Sequence, residues 1–255
     1  MKKTLIKIAV IVVVCLVALL LVASFFLGSI IKKGVETVGP QITKTPLTLD
    51  GANLSILSGS GSIKGLLVGN PEGYKTESAI KVGSVSLGVR PGSVFSDKIH
   101  VTHVNIQAPQ ITFEGGLKNN NLTKILDNVQ AATGGPDTNQ PAAKDQGPSK
   151  KIQIDDLVVS GAKVTISTVL TAGKPVTVTI PDIHLTDLGK NSNGITPAEA
   201  TEIVLKEVVN GTLKAVEKAI ADVGKVATEA LKDVGKGGTG TVDKATKSLK
   251  GLLGK

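Results

Sequence analysis

His100 and His103 are spaced H-x-x-H, and Asp155 and Asp156 stand side by side, types and spacings that suit a metal ion and an acid–base pair. Neither chemistry finds its remaining parts. A metal centre needs further ligands, yet the single Cys, Cys15, lies in an apolar run and no H-E-x-x-H accompanies the histidines. In an alternating strand pattern His100 falls on the polar side, where a solvated histidine is expected. Neighbouring strand residues face opposite ways, so two adjacent carboxylates do not converge on one bond; Asp155-Asp156 reads as a turn or bulge. Gly59-Ser60-Gly61-Ser62 lacks the P-loop Lys and the G-x-S-x-G elbow. The sequons at Asn53, Asn121 and Asn210 mean little in a bacterial chain, which the MKKT start indicates. The expectation is a protein without catalytic residues, metal or cofactor.

The elements that would position a site say more. Residues 8–31 read IAVIVVVCLVALLLVASFFLGSII, without a charge, flanked by Lys2, Lys3 and Lys7 before and by Lys32 and Lys33 after. About 20 apolar residues cross a bilayer, whereas a signal peptide has an apolar core of roughly 7–15 and then a cleavage site. Val22-Ala23-Ser24 resembles such a site, but the run continues beyond it, so an uncleaved anchor is expected. Cys15 follows Val14 rather than a small residue and is read as filler within the span. The Lys bias and the early, single span put the N-terminus in the cytoplasm and the bulk in the periplasm. Five of the lysines behind the net charge of +8 flank this run, and aromatic residues are 2% with no Trp. Nucleic-acid binding therefore has little support. With its only Cys in the span, the exported part has no disulfide and depends on core burial.

Beyond the anchor, apolar residues alternate, with Gly, Ser, Thr and Pro as punctuation. One frame recurs: apolar, x, apolar, x, x, apolar, x, apolar. It appears as Ile80-Val82-Val85-Leu87, as Ile99-Val101-Val104-Ile106 and as Val178-Ile180-Ile183-Leu185. Two looser copies are Ile152-Ile154-Leu157-Val159, with Val158 in a polar slot, and Leu47-Leu49-Ala52-Leu54. Residues 99–113, ending Pro109-x-Ile111-x-Phe113, match residues 152–166 at constant offset. A two-residue step moves a strand's pattern to the wrong face, so each step implies a β-bulge or break that restores it. Repeated at comparable positions, such steps curve a sheet. The expected fold is mostly β with helices: a transmembrane helix, a curved antiparallel sheet with one Val/Ile/Leu face and one wet face, and a long C-terminal amphipathic helix. Residues 121–132 predict a short helix with Leu122, Ile125, Leu126 and Val129 on one face and Asn120 or Asn121 as cap. Residues 131–149 predict a mobile loop.

These residues resemble the AsmA-like family of bacterial envelope proteins. The resemblance covers roughly residues 1–188. It rests on the order of the anchor, the stretch GSIKGLLVGNPEGY at 61–74, the frame with its trailing Pro109-x-Ile111, and Gly115 followed by N-L-x-x-I-L up to Leu126. The resemblance implies periplasmic β-structure of the repeating-groove type and a role in envelope lipid homeostasis, the groove sheltering phospholipid acyl chains. The residues it makes lipid-facing are Ile80, Val82, Val85, Leu87, Ile99, Val101, Val104, Ile106, Ile111, Phe113, Ile152, Ile154, Leu157, Val159, Val178, Ile180, Ile183 and Leu185. Larger members are many times longer. Here 8–11 short strands at about 4.8 Å each would stack to only about 40–50 Å, too short to cross a periplasm without oligomers or a partner.

Thr196-Pro197-Ala198-Glu199 starts a helix. Leu205, Val209, Leu213, Val216, Ile220, Val223, Ala227, Leu231 and Val234 then form a stripe with the charges off it. That stripe can pack on the chain's own sheet, on a second copy, or on a membrane, although mixed charge argues against the last. The tail carries Lys244, Lys247, Lys250 and Lys255 among Val242, Leu249, Leu252 and Leu253, a short basic amphipath. The domain reading is an anchor at 1–33, a β-domain at 34–190, an amphipathic helix at 191–235 and a flexible basic tail at 236–255. Two functions follow as expectations: a non-catalytic protein whose apolar face handles phospholipid, or a scaffold whose helix seals that face and which binds other envelope proteins or itself.

Overall fold

The constant offset between residues 99–113 and 152–166 has a direct cause in the computed structural model, which describes residues 2–134, 150–167 and 176–234. β5 (Lys98–Gln107) and β6 (Gln110–Phe113) lie parallel to β7 (Lys151–Ser160) and β8 (Lys163–Ile166). Ile99 faces Ile152, Val101 faces Ile154, Val104 faces Leu157, Ile106 faces Val159, Ile111 faces Val164 and Phe113 faces Ile166. Parallel partners keep a fixed sequence offset, so two copies of one pattern laid side by side put like residues on the same face. The sheet is therefore mixed, not wholly antiparallel as expected. A parallel neighbour requires a crossover, and α2 (Asn121–Thr133) lies in the connection.

The remaining strands pair antiparallel. β1 (Leu47–Thr48) and β2 (Gly51–Leu54) flank β3 (Ser60–Val68), which pairs with β4 (Ile80–Val89). β4 in turn carries β5 and β6 along its other side. β9 (Val176–Thr179) pairs with β8, and β10 (Ile183–Leu188) pairs with β7. The ten strands of this sheet thus occupy six rungs, because β1/β2, β5/β6, β7/β8 and β9/β10 are each two halves of one interrupted strand. Six rungs span about 24 Å. The expected 40–50 Å counted end-to-end halves as neighbours.

The interruptions line up. Continued by one or two residues, the registers place Asp50, Gly65, Gly83, Ala108, Gly161 and Pro181 on one transverse line across all six rungs. Gly65, Ala108 and Gly161 have φ of 60, 47 and 64°, the left-handed region. A Cβ on Gly65 would stand on the Asp50 carboxylate, so this position requires glycine. A second line crosses lower down. The β4–β5 register shifts between Gly88 and Val89, leaving Thr102 as the extra residue; Asp155 and Asp187, the latter at φ 57°, interrupt β7 and β10 at that level. Two lines of bulges and breaks curl the sheet into a half-barrel.

α2 and α3 (Pro197–Val234) close one end of the apolar face. Phe113, Leu122, Ile125, Val129, Val164, Ile166 and Val216 are buried together there, with Leu205, Val208 and Val209. Asn120 caps α2, accepting from the Thr123 N–H at 2.8 Å, and Gly134, at φ 75°, ends it. The helix runs through Thr133, so residues 131–133 are not loop; 135–149 lie outside the described residues. α3 opens with a reciprocal capping box: the Glu199 N–H donates to Thr196 Oγ1 at 3.1 Å, and the Thr196 N–H donates to Glu199 Oε2 at 2.6 Å. Its buried side is Leu205, Val208, Val209, Thr212 and Val216, so the helix packs on the chain's own α2 and sheet. Leu213 and Ile220 are half-buried at the margin of that core. The side chains from Val223 onward and the tail at 236–255 lie outside the described residues.

α1 (Lys2–Thr43) is one helix that continues past Lys33. Its later turns lie along the outer edge of the sheet. Gly28 abuts the Ala52 carbonyl, Lys32 Nζ donates to the Asp50 carbonyl at 3.4 Å, Glu36 Oε1 accepts from the Leu49 N–H at 3.0 Å, and Gly39 meets Leu47. Most side chains of residues 8–25 lie outside the described residues, and among the described ones no helix is long and apolar enough to cross a membrane.

Candidate functional site

The half-barrel carries its apolar residues in transverse rows. Ala52, Ile63, Val85, Ile106, Val159 and Ile183 face one another in sequence across six rungs. Leu54, Gly61, Leu87, Val104, Leu157 and Leu185 make the next row, and Val89, Val101, Ile154 and Leu188 a third. Above the upper crease runs Leu47, Val68, Ile80, Ile111, Val164 and Val178. Gly61 leaves room in its row for Leu54 and Leu87, whose side chains lean over it.

Burial divides these rows. Of the residues expected to face lipid, Val82, Val85, Ile111, Phe113, Ile154, Leu157, Val159 and Ile180 are buried. Ile80, Leu87, Ile99, Val101, Val104, Ile106, Ile152, Val178, Ile183 and Leu185 are half-buried. The main helix–sheet contacts fall on β1 and β2 from α1 and on β9 and β10 from α3. Ala200 of α3 reaches the cluster of Ile154, Leu157 and Val159, while Val101, Val104 and Ile106 stay at its rim. The result is a trough over β3, β4 and β5, floored by Val and Leu and walled by a helix at either edge.

The polar candidates lie elsewhere. His100 Nε2 is 2.6 Å from Asp155 Oδ2, Gln153 donates to Asp155 Oδ1 at 2.9 Å, and Lys98 donates to Gln153 Oε1 at 3.1 Å. The Gln153 amide holds the Asp155 carboxyl below its usual range; burial pushes it up, and His100 and Arg90 add to the lowering. Asp156 Oδ1 lies 2.5 Å from His184 Nε2. Both aspartates thus have histidine partners, rather than facing opposite ways, because the bulge between them turns both side chains outward. His103 stands apart from this group, against Thr102 and Gly88. Among the described residues no group of three or more His, Cys, Asp or Glu could hold a metal ion.

Sequence reasoning missed a polar tie that joins the two stretches at 61–74 and 115–126. Asn121, fully buried, accepts from the Glu114 N–H at 2.9 Å and donates to Asn70 Oδ1 at 2.7 Å and to the Thr112 carbonyl at 2.8 Å. The Glu114 carboxylate accepts from the Lys75 and Thr76 N–H groups and the Thr76 hydroxyl, at 2.8, 2.8 and 2.7 Å. Burial pushes the Glu114 carboxyl up, but these hydrogen bonds and the Lys75 charge outweigh it and lower it. A carboxyl lowered by folding contributes stability above its unfolded pKa and loses it as pH falls through the folded value. Glu114→Gln is therefore expected to destabilise the chain at neutral pH and to flatten the fall in stability below about pH 4.3, checked by urea midpoints across pH 3–7.

No curated protein and no solved structure matches the chain. The model of the AsmA family does, over residues 1–185, which takes in α1, nine of the ten strands and the first residues of the last. The sheet with its rows and creases is the part that the match covers, and the chain belongs to the AsmA family.

Proposed function

We propose that this protein is a non-catalytic envelope protein, held in the bacterial inner membrane by α1 with its bulk in the periplasm, that shelters phospholipid acyl chains in the trough over β3, β4 and β5. Family membership supports the envelope role. The uncharged run at 8–31, continuous with a helix, supports the anchor, and the Lys bias supports its direction. The observation that carries the lipid reading is the set of apolar rows that cross the sheet, in which Ile63, Leu87, Val101, Val104 and Ile106 on β3, β4 and β5 are only half-buried although Val82, Val85 and Val89 between them are buried. An acyl chain has no polar groups to satisfy, so a trough of Val, Ile and Leu side chains suffices to hold it, at about 0.8 kcal/mol per buried CH₂. Six rungs are too few to bridge two membranes, so the protein acts at one surface or passes lipid to a partner.

The scaffold reading draws on the other end, where α2 and α3 seal Ile111, Phe113, Val164 and Ile166 into a core. Lipid analysis separates the two. A chain from residue 27 onward keeps the turns of α1 that pack on β1 and β2 and loses most of the apolar run. Purified without detergent, it is expected to carry stoichiometric phospholipid by mass spectrometry. A folded, lipid-free protein would favour the scaffold.

A further inference from the structure

The sheet has two ends, and α1 picks out one of them. From Gly28 to Gly39 the helix passes from Ala52 to Leu47, and about 16 Å of helix matches about 16 Å of strand, so α1 and β2/β1 run side by side in opposite directions. Followed back toward its start, α1 therefore passes the 55–59 turn between β2 and β3. At that same end the chain turns from β4 to β5: the Val89 N–H donates to the Gly59 carbonyl at 2.6 Å, and Pro91 lies against Gly59. The two turns expose Leu57 (50%) and Phe95 (72%), the latter the most exposed of the large apolar side chains described.

Length decides where this tip lies. From Ala52 the strand reaches the turn in about 10 Å, roughly six or seven helical residues. About 15 residues of the apolar run then remain beyond the tip, roughly 22 Å of helix, against a hydrocarbon core of about 30 Å. The helix cannot cross unless the tip sinks several ångströms into the membrane. Its charges agree: Arg90 and Lys150 are exposed there, and Lys98 and Lys151 half-buried, with Asp97 as the exposed carboxylate among them. Lys190 pairs with Asp187 on the next loop, and Lys150 folds over the turn, donating to the Val94 carbonyl at 2.6 Å.

We propose that the tip formed by residues 55–59 and 90–97 is a membrane-contact site that seats Leu57 and Phe95 among the headgroups of an anionic lipid surface, the one that holds α1. This rests on α1 being an anchor. It adds that the row Val89, Val101, Ile154 and Leu188 begins at the bilayer, so an acyl chain meets the trough without crossing water.

The sequence has no Trp, so single-Trp variants report without background. The full-length chain carrying F95W, L57W, L19W or Y74W is placed in phosphatidylcholine–phosphatidylglycerol vesicles whose chains are brominated near the headgroup. Tyr74 lies at the opposite end, about 30 Å along the strands. F95W and L57W are expected to be quenched on the order of two-fold, as for side chains buried about 5–10 Å into the interface, and Y74W unquenched. If L19W is quenched while F95W and L57W behave as Y74W does, the tip proposal is overturned and the anchor stands. If L19W, which lies in the run beyond the tip, is not quenched, the anchor reading and the tip proposal fail together.

Discussion

Val164→Asp is expected to unfold the domain, while Val104→Asp, on the same apolar face, leaves it folded and empties it of lipid. Val164 is fully buried between the sheet and the helices. A lone carboxylate there costs about 4 kcal/mol or more, a large part of the 5–15 kcal/mol that holds a typical domain together. Val104 is half-buried at the rim of its cluster, where a carboxylate reaches water and costs about 1–2 kcal/mol in lost apolar contact. The urea midpoint followed by circular dichroism, with phospholipid counted in the same preparation, reads both effects. Loss of folding in both variants would mean that the trough is closed, which is the scaffold reading.

The second large effect is expected from Asn121→Ala. The substitution strips partners from the Glu114 N–H, the Thr112 carbonyl and Asn70 on the side where they face the fully buried Asn121. Each buried group left unsatisfied costs about 1–3 kcal/mol, so the loss is about 3–5 kcal/mol, seen as a lower urea midpoint. Asn120→Ala, which removes the cap on the Thr123 N–H, is expected to cost about 1 kcal/mol. If the two variants lose stability equally, Asn121 is not the tie between the strand ends and α2.

The frame was readable because strand burial has period two, and a double polar step stands out against it. Its meaning was only partly readable. Gly83-Ser84 and Pro181-Asp182 fall on the upper crease, but Thr102-His103 and Asp155-Asp156 fall on the lower one. One spacing thus marks two lines, because periodicity records where a strand breaks and not at which level it lies beside its neighbours. Parallel pairing was hidden for the same reason, although the fixed offset between 99–113 and 152–166 is what a parallel pair leaves in a sequence. Ala108 gave no warning of its left-handed backbone, since alanine rarely adopts it. Lys32 and Lys33 end an apolar run, but lysine is a good helix former, so the helix continues to Thr43. The α3 stripe included Leu213 and Ile220 but not Thr212, which is fully buried; a hydroxyl amid apolar spacing reads as surface until its neighbours are known.

The trough is tested most directly by neighbouring residues of one strand that face opposite ways. A photo-crosslinking amino acid at Val104 or Ile106 looks along the apolar rows, and one at Asn105 stands opposite Ser86 on the other face. In the full-length chain irradiated in its native membranes, phospholipid adducts are expected at Val104 and Ile106 and not at Asn105. Equal adducts on both faces, or protein adducts alone at Val104 and Ile106, would contradict a lipid-holding trough.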